Sequence, residues 1–307
     1  MGFTATSYKE LAPGVARLRV LFVNTYFIDA PGGWILLDTG LPGSTALIKR
    51  TAEKRYGRGA RPLAILLTHG HFDHAGSARN LAAHWDVPVY AHPLELPYLT
   101  GRSDYPPKDP AVGGALAQMA RVFPTSGYNL GSRVRALPDD GSVPHLPGWR
   151  TLHVPGHTAG QVALFREADR VLLAADTLTT VNQDSLLTML TMKRELRRPP
   201  APFTTDWEAA RNSIWRLAEL RPAVIAAGHG VPMMGRGLAA QFERFADKFT
   251  PPDQGRYARK PALTNDRGVI AVPPPAPDPL LGVGIGMALA GVVSVVLVVL
   301  ERQRSKK

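Results

Sequence analysis

The chain has 307 residues, 45% of them hydrophobic, no cysteine and a formal net charge of +11. That length and apolar share allow one large or two medium domains with a substantial core, and the missing cysteine excludes disulfides, thiolate metal sites and Cys nucleophiles. The charge invites a nucleic-acid reading, but no basic stripe is interleaved with aromatics and the last seven residues alone carry +3, so a solvated basic surface is expected and nucleic acid is not an expected partner.

In chain order, residues 18–28 and 34–37 form β-rich runs around the turn signal Asp29-Ala-Pro-Gly-Gly33. A helix is predicted over 44–56, with Ser44 as its N-cap. Residues 63–67 are a continuous apolar strand, 75–85 a helix and 87–91 another strand. This pattern of buried strands and covering helices indicates a layered α/β architecture. Residues 93–147 are rich in Pro and Gly, carry one helix near 114–122, and read as a covering insertion. Strands follow at 150–154, 162–166, 171–175 and 223–227, helices at 206–220 and 237–249, and a second, basic insertion at 178–205. A catalytic domain is thus assigned to 1–249. Residues 250–279, with eight prolines and little periodicity, read as a Pro-rich linker.

Residues 280–300 hold 21 positions without a charge, about 31 Å of helix, and read as a transmembrane helix followed by the basic tail 301–307. Gly282 and Gly286 permit two such helices to pair closely, and with them a homodimer. Four basic residues follow the helix, yet 1–20 contains no apolar segment able to export a domain. The expected localisation is therefore the membrane, with the catalytic domain on the cytoplasmic side.

The most informative stretch is Thr68-His-Gly-His-Phe-Asp-His-Ala-Gly76, directly after an apolar run. His69, His71, Asp73 and His74 form a ligand set suited to zinc or iron rather than calcium or magnesium. On a helix, 69 and 71 would lie about 200° apart. On a strand running into a turn, 69, 71 and 73 project to one side and the turn swings 74 round. That arrangement can serve two metals, with Gly70 and Gly76 supplying backbone freedom. Three further candidates stand where apolar strands end: His157, Asp176 and His229. Alone, each is as readily a loop or capping residue; as a set they complete the coordination that the first motif begins. Asp38 reads either as a turn-capping aspartate or as a residue orienting a ligand imidazole. His92 and His153 lie beside strands, His153 reading as structural with packing near the site as its alternative, and His84 and His145 read as surface residues. The matching strand ends Leu67-Thr-His-Gly70 and Ala227-Gly-His-Gly230 suit a pseudo-twofold sandwich.

The succession H-x-H-x-D-H, His, Asp, His at 69, 71, 73, 74, 157, 176 and 229 resembles the metallo-β-lactamase-fold hydrolases, in particular glyoxalase II and the lactonase-like branches. Asn24-Thr-Tyr-Phe-Ile28 and Leu37-Asp-Thr-Gly40 are similar to that family's N-terminal strands, and the resemblance covers roughly 10–235. It implies an α/β fold, an αβ/βα four-layer sandwich, here with a C-terminal transmembrane helix. It also implies two divalent metal ions, zinc by default, with iron or manganese in similar sites. His69, His71 and His157 would hold one ion, Asp73, His74 and His229 the other, and Asp176 would bridge them. The expected activity is that of a membrane-tethered metal-dependent hydrolase using a metal-bound hydroxide on an ester, thioester or lactone, a small-molecule substrate. Asp73 would orient the hydroxide and carry its proton. The alternatives are a nuclease or phosphodiesterase of the same fold, a mononuclear iron dioxygenase, and a non-catalytic binding module; the complete ligand set counts against the last two. The insertions would set specificity, with Tyr105, Tyr128, Met189, Met192, Lys193 and Arg194 placed to line or gate a pocket.

Overall fold

The computed structural model describes residues 6–278. Its first sheet runs in chain order: β1 (Thr6–Ala12), β2 (Val15–Val20), β3 (Val23–Ala30), β4 (Gly33–Leu37), β5 (Ala64–Leu66), β6 (Val89–Ala91) and β7 (Val134–Ala136). It is antiparallel as far as β4 and parallel beyond. The second sheet begins with β8 (Trp149–His153), β9 (Val162–Arg166) and β10 (Val171–Ala175). A separate ribbon of β11 (Thr179–Val181) and β12 (Arg194–Arg197) intervenes before β13 (Val224–Ala227) and β14 (Met233–Met234). The spatial order of this second sheet is β14-β13-β10-β9-β8.

Helices α1 (Thr45–Tyr56), α2 (Phe72–Ala75) and α3 (Ala78–Trp85) belong to the first half of the chain. The insertions contain α4 (Leu96–Leu99), α5 (Ala115–Met119) and α6 (Leu186–Thr191), and the second half carries α7 (Trp207–Glu219) and α8 (Leu238–Asp247). Alternation along the strands explains the layers. Ile35 and Leu37 enter a core between the sheets with Tyr26, Leu66, Leu164 and Leu173. Trp34 and Leu36 face the other way, onto Ile48 and Ala52 of α1 and Leu81 and Trp85 of α3. Leu172 and Phe165 likewise leave the shared core to meet Ile214 and Leu217 of α7 and Phe242 of α8. With both faces of each sheet covered, strands read as unbroken apolar runs. The result is the expected αβ/βα sandwich.

Capping follows local chemistry. Asp206 caps α7, its carboxylate accepting from Ala209 N–H at 2.9 Å. Ser44 precedes α1 but makes no side-chain capping bond. Residues 250–278, expected as a linker, lie against the domain. β15 (Leu263–Asn265) pairs with β16 (Gly268–Ala271), Asp109 accepts from Arg256 N–H at 2.6 Å, and the Tyr257 hydroxyl donates to Pro107 O at 2.7 Å. Proline here precludes regular helix but not docking through single side chains and backbone groups.

The transmembrane helix is a correction, and with it the membrane tether and the membrane localisation. Among the described residues no helix is long and apolar enough to cross a membrane. The longest of them, α7, has 13 residues, about 20 Å of rise against a bilayer core of about 30 Å. The expected span 280–300 and the tail 301–307 lie outside the described residues.

Candidate metal centre

The centre sits at the ends of β5, β8, β10 and β13. After β5 the chain bends at Thr68 and runs without regular structure to His71, which is extended at φ −61° and ψ 155°, and turns helical at Phe72. His69 and His71 therefore come from this non-helical stretch, Asp73 and His74 from the single turn α2. This differs from 69, 71 and 73 projecting together from one strand: the switch to helix sets Asp73 and His74 about 100° apart on one turn. Gly76 is needed for closeness rather than freedom. Its φ is −58°, and a Cβ there would stand 2.3 Å from Phe72 O and 2.4 Å from Pro42 N.

The other three donors arrive on shaped turns. β10 breaks register against β13 between Leu173 and Ala175, and Ala175 adopts φ 49°, so the bulge re-aims Asp176 inward. The turn holding His229 is clamped by the first sheet. Asn24 Nδ2 donates to Ala227 O at 2.9 Å and to Gly230 O at 3.0 Å, and the Tyr26 hydroxyl donates to Ala227 O at 2.6 Å. Gly228 is obligatory there, because a Cβ would lie 2.0 Å from Asp176 Oδ1. His157 lies in the turn between β8 and β9.

All seven expected donors converge. His71 Nδ1 lies 3.0 Å from His157 Nε2. Asp176 Oδ2 is 3.1 Å from His229 Nε2, 3.5 Å from His74 Nε2 and 3.6 Å from His157 Nε2, and His229 Nε2 is 3.4 Å from Asp73 Oδ2. Three groups each gather their donor atoms within 4.8 Å: His69–His71–His157, Asp73–His74–His229, and His69–His74–Asp176. Asp176 thus stands between two halves. Every member is buried.

The surroundings fix which nitrogen faces inward. His74 Nδ1–H donates to Asp38 Oδ2 at 2.8 Å, and His229 Nδ1–H to Phe22 O at 2.9 Å. The Thr68 hydroxyl donates to Asp38 Oδ2, so its oxygen accepts from His69 Nδ1–H at 3.1 Å. The Thr204 hydroxyl donates to Pro200 O, so it accepts from His157 Nδ1–H at 3.3 Å. Four imidazoles therefore turn Nε2 towards the centre. Asp38 holds φ 59°, an unusual conformation for a non-glycine residue, at the strand end where it meets both Thr68 and His74. Yet His69 Nε2, His74 Nε2 and Asp176 Oδ1 are buried without a hydrogen-bond partner. Each such atom costs about 1–3 kcal/mol, and divalent cations held by this nitrogen and oxygen set would satisfy them. The residues fit the group.

Electrostatics separates the halves. Burial pushes His69 and His71 well below the ordinary imidazole range, aided by neighbouring histidines, and takes His157 to about 3. Burial acts the same way on His74, but Asp176, Asp38 and Asp73 outweigh it and raise its pKa well above that range. His229 is raised by Asp176 and Asp73 against the same burial. Burial would raise Asp176, but His229 and His74 hold it well below the usual carboxylate range.

The pocket over the centre is lined by Phe22, Phe72, Leu116, Phe123, Pro200, Phe203 and Gln183 beside His71, Asp73, His157, Asp176 and His229. Phe123 is the hub, its ring 6.2 Å from Phe22, 5.2 Å from Phe72 and 6.5 Å from Phe203. None of Tyr105, Tyr128, Met189, Met192, Lys193 and Arg194 is in that lining. Tyr105 lies behind His71, ring to ring at 4.4 Å. These phenylalanines are separated in sequence by up to 181 positions, as Phe22 and Phe203 show, and share no motif.

The sequence model of the metallo-beta-lactamase superfamily matches residues 18–229. The chain is 44% identical over 245 residues to a probable metallo-hydrolase, YflN, of Bacillus subtilis (strain 168), covering 78% of this chain and 93% of that protein. A second probable metallo-hydrolase of the same organism, YybB, is 29% identical over 211 residues, covering 68% and 80%. Among solved structures, a metallo-beta-lactamase family protein from Thermus thermophilus is similar in fold, with a TM-score of 0.52 and 23% identity over 78% of this chain and 79% of that one.

Proposed function

This chain belongs to the metallo-beta-lactamase superfamily and is a metal-dependent hydrolase, and we propose that its substrate is a small apolar ester, thioester or lactone. The lining of the pocket carries this reading. Four phenylalanines, Leu116 and Pro200 surround the donors, Gln183 supplies one neutral amide, and no Lys or Arg is present. A nucleic-acid phosphodiester is gripped through Arg and Lys. An acyl group needs apolar walls and a few placed polar groups.

In this reading His69, His71 and His157 would hold one divalent ion and Asp73, His74 and His229 a second, with Asp176 serving both. Zinc suits the nitrogen-rich donors, with iron and manganese as substitutes. Bound there, such ions lower the pKa of water towards neutrality and polarise a carbonyl oxygen. Asp73, in the lining of the pocket, would orient the attacking water and pass its proton to the leaving oxygen or sulfur. Asp38 keeps His74 in the tautomer that coordinates. The phenylalanine collar excludes bulk water and seats the acyl chain.

Metal analysis of the purified chain, followed by turnover of chromogenic acyl esters, thioesters, lactones and a bis-aryl phosphodiester, tests the proposal. Two ions per chain and acyl hydrolysis are expected, with His71→Ala and Asp73→Asn each losing about 10³-fold in kcat, several kcal/mol of transition-state stabilisation. Acyl turnover retained in both variants, or phosphodiester turnover exceeding acyl turnover, would overturn it.

A further inference from the structure

Behind the His69–His71–His157 half lies a carboxylate that the proposed reaction does not use. Glu95, one residue before α4, is fully buried, and both its oxygens are filled. Oε2 accepts from Gly70 N–H at 3.0 Å and from the Tyr105 hydroxyl. Oε1 accepts from the Thr158 hydroxyl at 2.6 Å and from Gly160 N–H at 3.0 Å. Gly70 separates His69 from His71, while Thr158 and Gly160 follow His157 in its own turn. One carboxylate therefore ties together the two turns that carry this half's three imidazoles.

Two glycines record how close the tie is. A Cβ on Gly160 would lie 2.8 Å from Glu95 N and 2.9 Å from Glu95 Cγ; one on Gly70 would lie 2.6 Å from the Tyr105 hydroxyl and 2.9 Å from Leu99 Cδ2. Neither glycine has positive φ, so it is the approach of Glu95 and its neighbours that demands them.

The geometry points to Glu95 as the positioning residue of the tri-histidine half: by setting the separation of the turns bearing His71 and His157, it sets that half's affinity for its ion and leaves the other half alone. This rests on reading His69, His71 and His157 as the ligands of one ion. An acid is required because four donors converge on two oxygens. A glutamine would turn an NH₂ towards two of them. The hydroxyls of Tyr105 and Thr158 can rotate away, but the two N–H groups cannot: Gly160 N–H would lose its acceptor, or Gly70 N–H would keep only the Tyr105 oxygen at 2.8 Å, and the turn concerned moves. Aspartate is a methylene too short to reach both turns.

The test is titration of the metal-free chain with Co(II), read by visible absorption against a competing chelator, for the native protein, Glu95→Gln and Tyr105→Phe. His157→Ala and His229→Ala supply the spectrum of each half separately. The native chain should take two ions. Glu95→Gln should bind the Asp73–His74–His229 ion with native affinity and the other about 10–100-fold more weakly. Tyr105→Phe, which removes a donor to Glu95 and one of the two acceptors of Gly70 N–H but keeps the carboxylate, should give the same selective loss at smaller size, and serves if Glu95→Gln does not fold. Native affinity at both halves, or equal weakening of both, overturns the role given to Glu95. A native chain that binds no ion overturns the metal reading instead.

Discussion

The two halves of the centre draw on the same kinds of side chain and are held in place by different means. In the Asp73–His74–His229 half the grip is on the rings: a carboxylate at 2.8 Å from His74 Nδ1 and a backbone carbonyl at 2.9 Å from His229 Nδ1. In the His69–His71–His157 half it passes through the hydroxyls of Thr68 and Thr204, and, on our proposal, through backbone ties to Glu95. Local structure explains the difference. His74 comes from a helical turn beside the end of β4, where a carboxylate can reach its ring. His71 is extended and lines the pocket, its ring 4.4 Å from that of Tyr105 and 5.6 Å from that of Phe203. There the backbone is the part that can be held. The carboxylate on a ring thus marks one half and the carboxylate between turns the other, and substitutions of Asp38 and Glu95 should separate them.

The largest effect should come where the halves meet. Asp176→Asn replaces an oxygen facing His74, His157 and His229 at once. It should weaken both ions together and lower kcat by about 10³-fold or more, since charge stabilisation worth several kcal/mol is lost. Metal content and steady-state rates report both. One half keeping native affinity would show that Asp176 serves a single ion, and the division into halves would need redrawing.

Next in size is Asp38→Asn. Asp38 accepts from His74 Nδ1–H, Thr68 N–H and the Thr68 hydroxyl, and an amide must turn its NH₂ towards at least one of these donors. Affinity in the Asp73–His74–His229 half should fall about 10–100-fold, with a smaller loss in the other half by way of Thr68 and His69. The same Co(II) titration reads both. A loss confined to the His69 half would reverse the comparison.

What is legible in the sequence follows the same line. The donors stand out because one cluster follows an apolar strand, three more stand where such strands end, and coordination needs a complete set. The layers stand out because β4, β5 and β10 are apolar on both faces. What supports the donors is hidden. Glu95 stands between Leu94 and Leu96 in a segment that reads as a surface insertion, and only its burial reveals four donors. The signal available was an acid in an apolar run, which must find partners if buried. The phenylalanine collar is assembled by topology from four separate segments. Gly70 and Gly76 read as flexible positions, whereas steric closeness is what they supply. The docking of 250–278 is likewise hidden, since it uses isolated backbone and side-chain contacts that leave no periodicity.

The smallest expected effect probes the turn around His157 from outside. His153 Nε2–H donates to Ala159 O at 2.7 Å in that turn, and its ring stacks on His92 at 4.1 Å and 13°. His92 Nδ1 in turn accepts from Leu94 N–H at 3.2 Å, capping the short segment that carries Glu95. Burial lowers the His92 pKa to about 4, His153 adds to this, and Asp139 opposes it. The unfolded chain, with an imidazole pKa of about 6.5, therefore binds the extra proton across that interval. The stability this group contributes is present above about 6.5 and is lost as pH falls towards about 4. Melting temperature should drop between pH 7 and pH 5 in the native chain, and drop less in His92→Gln, which stays neutral and keeps an acceptor for Leu94. Equal slopes would mean that the stacked pair bears no acid-sensitive load, leaving the His157 turn to Glu95 and Thr204 alone.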